Sequence, residues 1–186
     1  MELAFKYVFV DLGLPSGTKW ADRNVGASGP EEYGLYFSWG NVDGHVYSDG
    51  SGFSSANYSN TTGSSLSTNI PTNKTYDAAR KYCGSAWRMP TSSEWQELIN
   101  YCNYSTSTLN GVSGMLLVSK NNGKSIFLPY GGYNAGSSSG SWYDYWSSTI
   151  SSTSGCAYAI EWRGGSFNLP YNINRFYGFT IRPVKN

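Results

Sequence analysis

Turn-forming residues set the tightest limit on what this chain can build. Gly, Ser, Asn and Thr recur throughout its 186 residues, with 22 Gly and 7 Pro. They leave only short segments between breaks, which suits a loop-rich β or α+β protein. The same chain carries 16 Tyr, 8 Phe and 7 Trp. Aromatic side chains bring large contact area and, for Tyr and Trp, a polar tip. Set among Gly, Ser and Asn, they match the composition of antibody-like binding loops. A chain of this length buries about 70% of its unfolded surface and holds a core without staples. One domain over residues 1–186 is therefore expected.

Charge and cysteine content narrow the classes. The net charge is +1 and no basic stripe is present, which argues against nucleic acid as a partner. No run approaches the roughly 20 apolar residues of a membrane helix, so no transmembrane segment is expected. The start, Met1-Glu2-Leu3-Ala4-Phe5-Lys6, lacks the apolar core and cleavage pattern of a signal peptide. The protein is then either intracellular, or at the cell surface, phage-borne or secreted after loss of a leader. The three cysteines, Cys83, Cys102 and Cys156, leave at least one unpaired in a monomer. A Cys83–Cys102 bridge and free thiols both stay open. With no CxxC pair and a single histidine, His45, neither a structural zinc site nor another cofactor is expected.

Local patterns give two helices and several short strands. Residues 76–83 are helix-compatible, with Gly84 as a stop. Residues 93–101 form the second helix, capped by Thr91 or Ser92, and Thr91 with Glu94 fits a capping box. Trp95, Leu98, Ile99 and Cys102 fall on one face of it. Strands are predicted at 7–12, 19–21, 114–119, 125–129, 157–162 and 179–184, with Asn121-Asn122-Gly123-Lys124 as a hairpin turn. Tyr158, Ile160 and Trp162 share one strand face, and Ala159 and Glu161 the other. Residues 43–75 are rich in Gly, Ser, Asn and Thr and are expected to form an irregular insertion. Ser141-Trp142-Tyr143-Asp144-Tyr145-Trp146-Ser147-Ser148-Thr149 reads as an aromatic loop. Phe167-Asn168-Leu169-Pro170-Tyr171-Asn172-Ile173-Asn174 mixes bulky apolar residues with Asn and Pro in no regular period. Large side chains on such irregular segments point to a binding surface.

Several motifs carry a family resemblance. Val10-Asp11-Leu12-Gly13-Leu14-Pro15-Ser16-Gly17-Thr18-Lys19-Trp20-Ala21 resembles the opening of the Fibrobacter succinogenes major paralogous domain and its Bacteroidetes relatives. So do Asn24-Val25-Gly26-Ala27, Trp87-Arg88-Met89-Pro90-Thr91, Ile126-Phe127-Leu128-Pro129, Tyr145-Trp146-Ser147-Ser148-Thr149 and Gly178-Phe179-Thr180-Ile181-Arg182-Pro183-Val184. Together they span nearly the whole chain in family order. The resemblance implies an α+β, C-type lectin-like fold of the formylglycine-generating-enzyme branch, with two helices, short antiparallel strands and long loops. Some members are similar to the variable proteins of diversity-generating retroelements, in which a C-terminal ligand-binding segment is rewritten at adenines. Residues 141–184 would be that segment here. Where relatives often carry Cys before Asn-Val-Gly-Ala, this chain has Arg23, so any disulfide formed by that Cys is absent.

Known chemistries of this fold find little footing. The three cysteines lie outside the Cys-x-Pro-x-Arg context of the formylglycine-generating enzymes. The Glu-Pro-Asn, Gln-Pro-Asp and Trp-Asn-Asp strings of calcium-dependent sugar binding do not occur, and Asp144 and Glu161 read as lone carboxylates. Arg88, Arg182, Trp20, Trp39, Trp95, Trp146 and Trp162 read as scaffold. No enzyme activity and no metal are expected. The expectation is a noncovalent, receptor- or adhesin-like ligand-binding domain. Trp142, Tyr143, Tyr145, Phe167, Leu169, Tyr171, Ile173, Phe176 and Tyr177 would supply apolar and aromatic contacts, and Asn168, Asn172, Asn174 and Arg175 adaptable hydrogen bonds. A broad surface of this kind suits a protein or surface glycoconjugate as partner. The competing readings are a structural module of a cell-surface or pilus assembly and an active or inactive relative of the formylglycine-generating enzymes.

Overall fold

A computed structural model of the chain describes residues 6–46, 52–134, 138–139 and 143–186. The fold is α+β, built mostly from antiparallel strands. Strands β1 (Phe9–Val10), β2 (Lys19–Ala21) and β11 (Val184–Lys185) form one small sheet with β2 in the middle. Three short helices follow β2: α1 (Ser55–Tyr58), α2 (Ala78–Cys83) and α3 (Ser92–Tyr101). A second sheet orders β3 (Cys102–Leu109), β4 (Val112–Ser119) and β5 (Ser125–Pro129) as consecutive hairpins. Strands β6 (Tyr133–Asn134) and β7 (Ser138–Ser139) pair alone. The third sheet, in the order β10-β9-β8, contains β8 (Tyr143–Ile150), β9 (Cys156–Arg163) and β10 (Ser166–Asn174).

The helices form where capping chemistry allows. Asp77 caps α2 by accepting from the Arg80 amide, and its second oxygen accepts from the Met89 amide at 3.1 Å. Thr91 caps α3 in a complete capping box with Glu94, so two orphan amides are satisfied reciprocally. Trp95, Leu98 and Cys102 are buried on its inner side. The insertion at 43–75 is less irregular than its composition implies. It holds α1 and a 3-10 turn at Thr62–Ser65, and it buries Phe53 and Ile70. Those two apolar side chains anchor the polar segment.

The β8–β9–β10 sheet lies between two apolar clusters. On one face Tyr143, Tyr145 and Ile160 pack with Trp20, Trp95, Leu98, Met115, Leu117 and Ile126. On the other, Trp146, Ala157 and Ala159 pack with Phe37, Trp39, Met89, Phe179 and Ile181. Buried indoles tie the layers: Trp146 Nε1 donates to the Phe37 carbonyl at 2.7 Å, and Trp39 Nε1 to the Ser147 carbonyl at 2.9 Å. The expected scaffold arginines are scaffold. Fully buried Arg182 donates to Asn24 Oδ1, Ala21 O and Phe127 O at 2.7–3.0 Å. Arg88 grips Glu94 with two nitrogens, at 2.6 and 2.8 Å.

Two predicted loops are strands. The aromatic segment from Tyr143 onward is β8, and residues 167–174 belong to β10. Along β10 burial alternates strictly, with Phe167, Leu169, Tyr171 and Ile173 half-buried between exposed neighbours. The sequence carries this period, with Phe167, Leu169, Tyr171 and Ile173 at every second position, and the irregular reading missed it. Here Pro170 sits on an edge strand, where its missing amide costs no ladder bond. A bulge between Asn168 and Tyr171 shifts the register against β9. Phe167 and Leu169 therefore join the first cluster, and Tyr171 and Ile173 the second. Arg163 and Ser166 pair across Gly164-Gly165, both at positive φ, as a tight two-residue hairpin requires.

Candidate functional site

Beyond the bulge, β10 forms one wall of a cavity of about 240 Å³. Tyr171 and Ile173 of β10 line it with Tyr177 just beyond, and Tyr133 and Phe179 complete the apolar side. Tyr133 meets Tyr177 edge-on at 5.6 Å and Phe179 at 6.3 Å between ring centroids. Asp144 of β8 and Glu161 and Arg163 of β9 supply the polar side. The volume lies below the roughly 300–1,000 Å³ of sites for drug-sized ligands. It admits a side chain or one sugar ring, not a large cofactor.

The two carboxylates are brought together by strand register. Asp144 and Glu161 are direct partners across β8 and β9, so both side chains leave the same face of the sheet. They are 2% and 6% exposed. Glu161 Oε2 accepts from Asn168 Nδ2 at 3.3 Å. Asp144 Oδ1 is buried with no hydrogen-bond donor. Burial, reinforced by the neighbouring Glu161, pushes the Asp144 carboxyl up to about 8, against a smaller downward pull from Arg163. Burial also pushes the Tyr171 hydroxyl up to about 12, with the charges of Glu161 and Asp144 adding to the rise. At neutral pH the site thus presents a protonated Asp144 carboxyl beside Glu161, walled by rings.

The residues expected to bind separate into distinct groups. Tyr171, Ile173 and Tyr177 line the cavity, and Asn168 holds its carboxylate Glu161. Phe176 is half-buried, its ring 4.5 Å from that of Tyr177. Phe167 and Leu169 lie on the other face, where Phe167 packs against Trp162 and Tyr104. Asn172 and Asn174 alternate with Tyr171 and Ile173 and point away from the cavity. Asn172 donates to Thr153 Oγ1, and Asn174 accepts from Cys156 Sγ. Trp142 lies outside the described residues.

Three expected contacts are corrected. Tyr143 and Tyr145 are core residues of the first cluster, because alternation along β8 turns them inward. Arg175 is buried as well. It donates to Cys156 O and Leu66 O at 3.0 and 2.7 Å and covers Trp39 at 4.7 Å. It pins the insertion to the sheet. The broad exposed surface also gives way to a pocket, since none of the six apolar side chains from Phe167 to Tyr177 is fully exposed.

Tyr133, Asp144, Glu161, Arg163 and Phe179 escaped the sequence reading as site residues. The available signal was Glu161 on the small-residue face of a predicted strand, beside Ala159. A carboxylate on a buried face calls for a partner. The three cysteines are free. Burial pushes Cys83 up to about 12 and Cys102 up to about 11, opposite to what thiolate chemistry requires. Among the described residues no group of three His, Cys, Asp or Glu side chains can hold a metal ion, and no helix is long and apolar enough to cross a membrane. No protein-family model, curated protein or solved structure matches the chain.

Proposed function

We propose that this chain is a C-type lectin-like domain that binds a protein or surface glycoconjugate noncovalently at the cavity beside β10. One observation carries the reading. A pair of buried carboxylates, one with an orphaned oxygen, lies at a ring-walled opening on the edge of the central sheet. A buried acceptor without a donor costs about 1–3 kcal/mol, and an incoming donor recovers that. The lectin-like fold is supported by the family-ordered motifs and by the pairing of β2 with β11, which brings the first and last motifs side by side. Retroelement diversification is the accompanying proposal. Its support is that Asn168, Asn172 and Asn174 are exposed, so these codons can change without repacking either cluster.

Arrays of immobilised glycans and peptides test the binding reading. The wild-type protein is expected to retain a subset of spots that Tyr171→Ser loses, with a stability cost of about 1–2 kcal/mol. Retention that is indifferent to Tyr171→Ser and Tyr177→Ser would remove the cavity from the function. Diversification is tested in the DNA. A neighbouring near-copy of codons 140–184 that differs only at adenines, next to a reverse transcriptase gene, is expected. Differences spread over all four bases, or no copy, would end that proposal.

A further inference from the structure

We propose that the cavity recognises an alkylammonium group: a charged amine on an apolar stem, as on a lysine side chain. The inference rests on the binding reading above and names the group that enters. Asp144 and Glu161 leave the same sheet face as direct strand partners and are almost fully buried. Two ionised carboxylates in such a place are costly, because each loses its hydration and repels the other, and Asp144 therefore keeps its proton up to about pH 8. Asn168 relieves Glu161 with one neutral donor, while Asp144 Oδ1 receives none. An ammonium has three diverging donors on a compact charge, enough to serve both carboxylates at once.

The walls select the kind of cation. Two carboxylates fall short of the six to eight oxygen ligands of calcium, and among the described residues no third carboxylate, His or Cys joins them. The remaining lining is Tyr133, Tyr171, Tyr177, Phe179 and Ile173. Aromatic faces attract a cation that metal-ligand oxygens do not already surround, and Ile173 offers an apolar surface to the stem. Arg163 is the one cationic side chain among the described residues of the lining. Its pull on Asp144 is weaker than the push from burial and Glu161.

Isothermal titration of the whole chain with Nα-acetyl-lysine methylamide is the test, with the neutral isostere Nα-acetyl-norleucine methylamide and the bare amine n-pentylamine as comparisons. The lysine probe is expected to bind at least about tenfold tighter than the norleucine probe, which is a difference of about 1.4 kcal/mol. Asp144→Asn and Glu161→Gln should each erase that preference. Thermal melting of both variants verifies that they fold. Pentylamine binding as tightly as the lysine probe would identify free amines as the source, whereas weaker binding would point to a lysine within a peptide. Affinity should rise at least about tenfold from pH 6 to pH 9, as the Asp144 proton leaves and the probe stays charged. Among the described residues, Tyr133, Tyr171, Tyr177, Glu161 and Arg163 are the other titratable groups facing the site. Equal binding of the lysine and norleucine probes, or a preference untouched by both variants, would overturn the ammonium inference. The Tyr171→Ser array result would still stand or fall separately.

Discussion

Asp144 couples the site to pH. Its carboxyl ordinarily titrates near 3.8 and is pushed up to about 8 in the folded chain. Between those values the native state holds a proton that the unfolded state has released. The stability this group contributes is therefore complete below about pH 4 and lost as pH rises through about 8, by up to about 1.4 kcal/mol per pH unit in that window. Asp144→Asn keeps the shape and removes the charge. The variant is expected to exceed the wild-type protein in stability by about 1–4 kcal/mol at pH 8.5, with the gap closing by pH 5. Urea unfolding at the two pH values measures this. Equal stability at both would mean that water reaches Asp144 freely. Asp77 is also raised by burial, but its contribution is common to both proteins and cancels.

At the scale of elements, α3 depends on one side chain. Burial alone would raise Glu94, yet donors from Arg88, Thr91 and Thr18 hold it below its ordinary value. Glu94→Ala removes the reciprocal half of the capping box and strips Arg88 of its carboxylate. A loss of about 2–3 kcal/mol is expected, against about 1 kcal/mol for Thr91→Ala, both read from denaturant midpoints. Glu94 was legible in the sequence because a capping box lies within four residues. The same holds for the body of α2, though its Asp77 cap was read as part of the helix, for the Asn-Gly turn between β4 and β5, and for the alternation of β9. The unread elements failed for reasons of range. Most of β3 is exposed, so Asn103-Tyr104-Ser105-Thr106-Ser107-Thr108 shows no apolar alternation. Strand β8 is buried along most of its length, so its aromatic residues follow no simple polar rhythm. The period of β10 stands in the sequence at Phe167, Leu169, Tyr171 and Ile173, but what the bulge does to it, turning its two halves to opposite faces, does not. The Asp144–Glu161 pairing depends on the register between β8 and β9, which brings together residues 17 apart in the chain and which no local pattern encodes.

The molecule as a whole is organised around a sheet with cores on both sides, and its thiols report on that integrity. Cys102 and Cys156 are buried, and Cys83 is half-buried with its thiol pushed up by burial. A disulfide-exchange reagent such as Ellman's should leave all three essentially unlabelled in the native protein at pH 7.5 and label three after unfolding. Rapid native labelling of Cys83 would mean that the α2 region opens without global unfolding. Reductant should leave the melting temperature unchanged, since no bridge exists to break. The bulge at Leu169-Pro170 sends one stretch of chain into both cores, and this carries an evolutionary corollary. Letters along β10 can be exchanged while its count of residues must stay constant. A single-residue deletion beyond the bulge, at Asn172, would swing Ile173 to the opposite side of the sheet and break the wall of the opening. Variation in this segment should therefore proceed by substitution at fixed length, with insertions and gaps confined to neighbouring turns.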